Sequence, residues 1–428
     1  MEKFVIEGGR PLRGSVTPSG NKNSALPLLA ACLLTDEPVT LRNVPQIDDV
    51  RTMRHLLTDL GATFEDLDPH TWRIHAREIR KAALDPELCK RIRASILLAG
   101  PMLARVGQIE LPPPGGDVIG RRRVDTHLLA LEALGAAVRV NNGFHMQTSG
   151  LRAADVLLDE ASVTGTENAV MAAALAPGRS VIRNAASEPH VQELCHLINA
   201  MGGHVENIGS NMLIVEGVPK LHGGEFAVGP DYLEVASFIG AAAVTGGEIR
   251  IRQAGLQYLD MIRLVFRRLG VQWTVDGDDL LVPASQPLAI VPDLGNAIPE
   301  ITDLPWPGFP ADVMSIAIVV ATQAAGTALF HEWMYESRLF FVDRLIGMGA
   351  RIVLCDPHRC LVQGPARLQA EAGGLASPDI RAGMALIIAA LCARGQSVIR
   401  NIGQIERGYE RIEEKLKGLG AAIERVED

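Results

Sequence analysis

Two kinds of apolar segment alternate along the chain. One kind carries a single stripe: Val50, Met53, Leu56, Leu57 and Leu60 fall on one face of a helix, and polar residues fill the other face. The other kind is apolar all round and rich in alanine, as in 172–185 (AAALAPGRSVIRNA), 241–253 (AAAVTGGEIRIRQ), 321–332 (ATQAAGTALFHE) and 389–402 (AALCARGQSVIRNI). Each of these reaches a glycine or turn and runs into a β-branched strand, the pattern of an enclosed helix capped and followed by a strand. The striped helices end in a recurring Leu/Met-Gly pair at Gly61, Gly135, Gly202, Gly270, Gly349 and Gly420, spaced 74, 67, 68, 79 and 71 residues apart. Repetition at a fixed period marks one supersecondary unit used several times. The unit is strand, buried helix, strand, amphipathic helix and further strands, present six times in an α/β chain.

Six such units exceed one hydrophobic core and divide into two domains of three. The cut falls in the Gly/Pro-containing run 217–230, GVPKLHGGEFAVGP. The strand Phe4–Ile6 precedes the first full unit without a helix of its own, and is expected to pair with the far domain. The predicted domains are therefore 22–229, carrying a loop at 111–123, and 1–21 plus 230–428, with the active site in the cleft between them.

Composition narrows the function. Forty-one basic against 50 acidic residues give a net charge of −9, so an anion site must be local, and nucleic acid is not the expected partner. The apolar runs Ala25–Leu34 and Met384–Ala393 fall short of the ~20 residues that cross a bilayer. No basic-then-apolar leader opens the sequence, and a cytoplasmic protein without membrane partners is expected. Cys32, Cys195 and Cys392 sit in apolar helical patterns as reduced thiols. Cys355, His358 and Cys360 in CDPHRC lack a fourth ligand, and they read as strand, turn and strand rather than a zinc site. No G-x-G-x-x-G and no G-x-x-x-x-G-K-[ST] occurs, and HEWMY at 331–335 lacks a zincin's second histidine.

The richest chemistry lies in LPPPGGDVIGRRRVDTH, 111–127. Its prolines and glycines exclude a helix or central strand. Asp117 and three arginines, Arg121 to Arg123, stand before the helix predicted at Val124–Leu134, where guanidinium and backbone N–H groups hold phosphate. A solvated surface loop is the competing reading. Lys22 and Asn23 precede the apolar helix Ser24–Leu34, against the dipole preference for anions there, and so point to a bound anion. Arg93 lies in the apolar run IRASILLAGPM and needs a partner, an ion pair or an anion. Arg338, Arg381 and Arg407 each have an acidic neighbour in sequence, which favours salt bridges. Asp312 opens the helix Val313–Thr322, as its cap or as a general base.

Taken in order, GNKNSALPLLAA, RASI, GGDVIGRRRVDTH, TEN, NAASEPHV, PDYLE, GFPADV, YESR, DIRAG and IERGYERIEEKLKGLGA resemble the UDP-N-acetylglucosamine enolpyruvyltransferase (1-carboxyvinyltransferase) branch of the EPSP synthase-like family. The resemblance implies two inside-out α/β barrels, each of three βαβαββ-type repeats. It also implies transfer of enolpyruvyl from phosphoenolpyruvate to a sugar 3′-hydroxyl, in peptidoglycan precursor synthesis. The hydroxyl attacks C2, C3 is protonated, and phosphate leaves a tetrahedral intermediate. No metal or organic cofactor is implied; the substrates are phosphoenolpyruvate and UDP-N-acetylglucosamine. Lys22, Arg122, Arg381 and Arg407 match the phosphoenolpyruvate ligands. Asn23, Arg93, Val124, Asp125, His127, Ser162, Val163, Thr164, Met334, Tyr335 and Arg338 match positions around the nucleotide sugar. Asp117 is implied as general acid and Asp312 as general base, with Lys22 and Arg407 in the catalytic set.

Several positions depart from the family pattern. Asp117 stands where cysteine is usual, and a carboxylate is a poor nucleophile toward an epoxide, so insensitivity to fosfomycin is expected. Many relatives have proline at Arg123, lysine at Glu160, glycine at Thr164, tryptophan at Leu97 and Tyr-His at Gly403–Gln404. Arg123 beside the lost lysine either relocates one positive charge on the diphosphate or marks a paralogue with another uridine nucleotide as acceptor. A nucleic-acid enzyme of RNA 3′-phosphate cyclase architecture and an idle sugar-nucleotide sensor are the remaining alternatives. The shikimate-pathway enzyme's Asn-Ala-Gly-Thr motif is missing near Arg93.

Overall fold

A computed structural model describes residues 2–116, 123–371 and 373–427. They form two compact units, one of residues 20–116 and 123–229, the other of residues 2–19 and 230–427. The chain passes between units near residues 19 and 229.

The first unit has three sheets. Their strand orders are Gly224–Ala227, Val39–Arg42, Thr71–His75, Thr63–Asp68; then Gln108–Leu111, Phe144–Gln147, Ala137–Val140; then Asp155–Leu157, Gly178–Arg183, Met212–Gly217, His204–Glu206. In the first and third sheets the opening strand pairs parallel to the second and the rest are antiparallel. In the middle sheet a parallel bridge from Ala83 to Glu110 replaces the edge strand. The second unit repeats the pattern with Arg13–Val16, Glu248–Ile251, Asp279–Val282, Thr274–Asp276; with Glu300–Thr302, Gly326–His331, Arg359–Gly364, Arg351–Asp356; and with Leu375–Ala376, Gln396–Arg400, Glu2–Glu7, Ala422–Glu427. Glu2–Glu7 lies antiparallel between Gln396–Arg400 and Ala422–Glu427.

The alanine-rich helices are the inner ones. Tyr232–Thr245, Ala311–Gln323 and Ile380–Cys392 pack on one another in the second unit, each almost wholly buried. Lys22–Ala31, Ala99–Val106 and Val163–Ala173 form the first unit's centre together with the 3-10 turn Arg93–Leu98. Small residues set the approach: a Cβ at Gly100 would lie 2.6 Å from the Asn168 carbonyl oxygen. All six marker glycines have positive φ, from 79° to 114°. The residue after each sends its N–H five positions back to the outer helix, as Ala62 does to Leu57 and Ala421 to Leu416. This is the Schellman closure, which only glycine makes without strain.

The run 217–230 is less of a linker than its composition suggests. Gly224–Ala227 within it is the parallel edge strand beside Val39–Arg42, and within this run the chain changes units only near residue 229. The strand–turn–strand expected around Cys355 and Cys360 is the hairpin Arg351–Asp356 and Arg359–Gly364. Among the described residues no helix is long and apolar enough to cross a membrane.

Candidate active site

In the first unit the helix starts at Lys22, two residues before the position read from sequence. Asn21 is its cap, its side chain accepting the N–H groups of Asn23 and Ser24. Lys22 is thus already inside the helix, and its Nζ lies 2.6 Å from the Asp49 carboxylate, with both side chains less than a tenth exposed. Asp49 carries no sequence motif; its signal was only its place in the first turn of Asp48–Leu60. A buried lysine needs such a counter-charge, and the pair fixes where the ammonium sits.

Arg93 donates from Nη2 to the Arg123 carbonyl at 2.9 Å, and a Cβ on Gly116 would strike its own Cβ at 2.8 Å. Arg123 is held by two carboxylates, Asp125 at 3.1 Å and Asp159 at 2.7 Å. Thr126 adds a 2.6 Å hydrogen bond to Asp159. The charge of Arg123 is therefore balanced within the protein, which speaks against its replacing a lysine on a diphosphate. Val124 is the cap of Asp125–Ala133.

His127, on that helix, is buried. Burial first and the charge of Arg93 second lower its pKa to about 3, so it is neutral. Its Nδ1 meets the Asn168 amide at 2.9 Å and its Nε2 meets Thr164 Oγ1 at 3.0 Å. Thr164 is the second residue of Val163–Ala173, whose cap Ser162 accepts the Gly165 N–H. Thus Arg93, His127, Ser162, Val163 and Thr164 gather around one helix start.

In the second unit Pro310, not Asp312, occupies the cap position of Ala311–Gln323. Asp312 instead accepts from Arg338 Nη2 at 2.9 Å and from Arg381 Nε at 3.2 Å. Both arginines are buried, and neither pairs with its sequence neighbour as the local pattern suggested. Burial works against the charge on Arg338, and Asp312, Asp379 and Glu332 outweigh it; Tyr409, Asp312 and Asp231 do the same for Arg381. Arg338 lies over the Tyr335 ring at 4.9 Å and Arg381 over Tyr409 at 5.2 Å. Arg338 Nε and Arg381 Nη1 have no hydrogen-bond acceptor among the described residues.

Asp303, fully buried, accepts the N–H groups of Trp333 and Met334 and so holds the turn that carries Met334, Tyr335 and Arg338. Glu332 beside it is raised to about 9, by burial first and by Asp303, with Arg338 opposing. Sequence reading missed Asp49, Asp159, Asn168, Asp303 and Glu332. Each acts on another site residue, and none carries a pattern that marks that role when read alone. Arg407 donates to Gln404 at 2.9 Å, while its neighbour Glu406 pairs with Arg425. Asp117 and Arg122 lie outside the described residues. No group of His, Cys, Asp and Glu suited to a metal occurs among the described residues.

The family model for EPSP synthase (3-phosphoshikimate 1-carboxyvinyltransferase) matches residues 6–416. A protein of Bradyrhizobium diazoefficiens named UDP-N-acetylglucosamine 1-carboxyvinyltransferase is 57% identical over 424 residues, covering 99% of this chain and 98% of that one. One of the same name from Treponema denticola is 52% identical over 427 residues, all of both chains. The crystal structure of the enolpyruvyl transferase NikO from Streptomyces tendae superposes with a TM-score of 0.88 at 24% identity, covering 99% of each chain. At that identity it speaks for the fold alone. With six repeated sheets, three enclosed helices in each unit and a family match along nearly the whole length, the chain belongs to the EPSP synthase family and is an enzyme of the 1-carboxyvinyltransferase type.

Proposed function

We propose that the chain transfers the enolpyruvyl group of phosphoenolpyruvate to the 3′-hydroxyl of UDP-N-acetylglucosamine and releases phosphate, a step of peptidoglycan precursor synthesis in the cytoplasm. The observation that carries this reading is full-length similarity to relatives named for that activity. Lys22, Arg122, Arg381 and Arg407 bind the phosphate and carboxylate of phosphoenolpyruvate. Asn23, Arg93, Val124, Asp125, His127, Ser162, Val163, Thr164, Met334, Tyr335 and Arg338 bind the nucleotide sugar.

Asp312 takes the proton of the 3′-hydroxyl as its oxygen attacks C2, and Asp117 delivers a proton to C3. The tetrahedral intermediate then loses the C3 proton and phosphate together, which restores the double bond. The pairing of Asp312 with Arg338 and Arg381 supports the assignment, because two buried guanidinium groups aim the carboxylate. No metal or organic cofactor enters these steps.

Phosphate release is measured with phosphoenolpyruvate and either UDP-N-acetylglucosamine or uridine monophosphate. Turnover with the sugar nucleotide is expected, and turnover with the monophosphate alone would replace it by the other-acceptor reading. Incubation with fosfomycin should leave the intact mass unchanged, since residue 117 is aspartate.

A further inference from the structure

Asp303 and Glu332 are both wholly buried, and each belongs to a segment that delivers one half of the Asp312–Arg338 pair. Asp303 follows the strand Glu300–Thr302. Its N–H donates to the His331 carbonyl at 3.3 Å, and its carboxylate accepts the Trp333 and Met334 N–H groups at 2.5 and 3.3 Å. Next to it, the Leu304 N–H donates to the Phe309 carbonyl at 3.0 Å, one residue before the Pro310 cap of the helix that carries Asp312. One carboxylate thus ties the loop leading to Asp312 to the turn leading to Tyr335 and Arg338.

The backbone of Glu332 is fixed by a hairpin turn: its N–H donates to the His358 carbonyl at 2.7 Å, and His358 Nδ1 meets its carbonyl at 2.8 Å. Its side chain has no such anchor. Among the described residues neither carboxyl oxygen meets a hydrogen-bond donor, and Arg338, the cation that acts on it, gives its Nη2 to Asp312. A wholly buried carboxyl without a donor is held as the neutral acid, because the charged form loses its hydration and gains too little in return. Its pKa of about 9, set by burial first, agrees. A neutral acid has one O–H to donate, and the acceptor beside it is Asp303. The other titratable or charged groups around it are engaged elsewhere. His331 meets Glu300 at 3.3 Å, Tyr335 lies under the Arg338 guanidinium, and Asp356, on the hairpin with His358, pairs with Arg359.

We infer that Glu332 is a positioning residue for the nucleotide-sugar site: its O–H bonds to Asp303 and keeps that carboxylate on the Trp333 and Met334 N–H groups, so that Tyr335, Arg338 and Asp312 hold one arrangement. This rests on the UDP-N-acetylglucosamine reading above and adds to it a residue that stands behind the ligands rather than among them. Loss of the proton sets two negative charges against each other in the core and offers Arg338 a second partner in place of Asp312.

The test is steady-state kinetics on both substrates as a function of pH for the full-length wild type, Glu332→Gln and Glu332→Leu, with circular dichroism at each pH to show that the protein is folded. In wild type the KM for UDP-N-acetylglucosamine should rise about tenfold between about pH 8 and pH 10, the titration of one group near pH 9. Glutamine is a neutral donor at every pH. It should abolish that rise and stay within about threefold of wild type at about pH 8. Deprotonation of the uracil ring at high pH is common to both proteins, so the quantity read is the ratio of wild type to glutamine variant. Leucine fills the space without a donor and should raise the same KM about tenfold at about pH 8, since hydrogen bonds to charged groups are the strong ones. The KM for phosphoenolpyruvate should change far less in both variants. A ratio that stays flat as pH rises, or a folded leucine variant equal to the glutamine one, overturns the inference alone; if leucine does not fold, the ratio decides. No turnover of the sugar nucleotide by the wild-type protein overturns the functional reading, and the inference with it.

Discussion

Replacing Asp312 with asparagine preserves side-chain shape and removes one negative charge from between two buried cations. The wild-type carboxylate accepts from Arg338 on one oxygen and Arg381 on the other, and the two guanidinium side chains are only 6% and 5% exposed. Asparagine offers one acceptor oxygen and turns an N–H donor toward the second arginine, so one charged donor is left facing another. Removing one partner of a buried ion pair costs roughly 3–5 kcal/mol, and Coulomb attraction at ~4 Å in an effective dielectric near 20 is about 4 kcal/mol per pair. Asp312 is 28% exposed, and Asp379 and Asp231 still act on the two arginines, so the low end applies. We expect a loss of about 3 kcal/mol in urea unfolding of Asp312→Asn. Phosphate release should fall at least ~100-fold at a urea concentration where the variant is fully folded, because the amide cannot take the hydroxyl proton. Unfolding within about 0.5 kcal/mol of wild type would refute the energetic reasoning. Wild-type turnover would remove Asp312 as the base.

Glu332 sets an alkaline limit. Its folded pKa, about 9, lies above the ordinary carboxylate value, so its contribution is fully present below about pH 4.5 and is lost as pH rises toward 9. Glu332→Gln should therefore gain stability relative to wild type between pH 5 and pH 9, by up to about 1.4 kcal/mol per pH unit, and parallel melting profiles would contradict this. Gly420, with φ of 89° and no atom within 4 Å of an added Cβ, isolates the backbone cost of the Schellman closure. Gly420→Ala should lower stability by about 1 kcal/mol, measured by urea unfolding, with activity retained; an unchanged midpoint would show that the turn adapts.

The repeat was legible because it is written in backbone requirements. Six left-handed helix ends demand six glycines, and inner helices touched on all sides demand alanine and the larger aliphatics in place of a stripe. The arginines and Asp312 were legible as charges in apolar surroundings. Their partners were not, since Asp312 meets Arg338 and Arg381 across 26 and 69 residues, distances at which local neighbours such as Glu336 and Asp379 mislead. Asn168 was hidden for a related reason. An amide inside an apolar helix looks like a minor flaw until its two core hydrogen bonds show that it orients a histidine. Gly224–Ala227 was taken for linker because an edge strand with one parallel neighbour needs few β-branched residues.

The strand Glu2–Glu7 has a bearing on how the molecule comes into being. It lies between Gln396–Arg400 and Ala422–Glu427, so a segment synthesised well before them finds both its neighbours only when more than four hundred further residues have been added. The unit of residues 20–116 and 123–229 owes no strand to that wait and is free to fold early, whereas the sheet holding Glu2–Glu7 closes last. Until then its apolar Phe4 and Ile6 are exposed on an unpaired strand, which makes the nascent chain, rather than the finished enzyme, the form most in need of a chaperone.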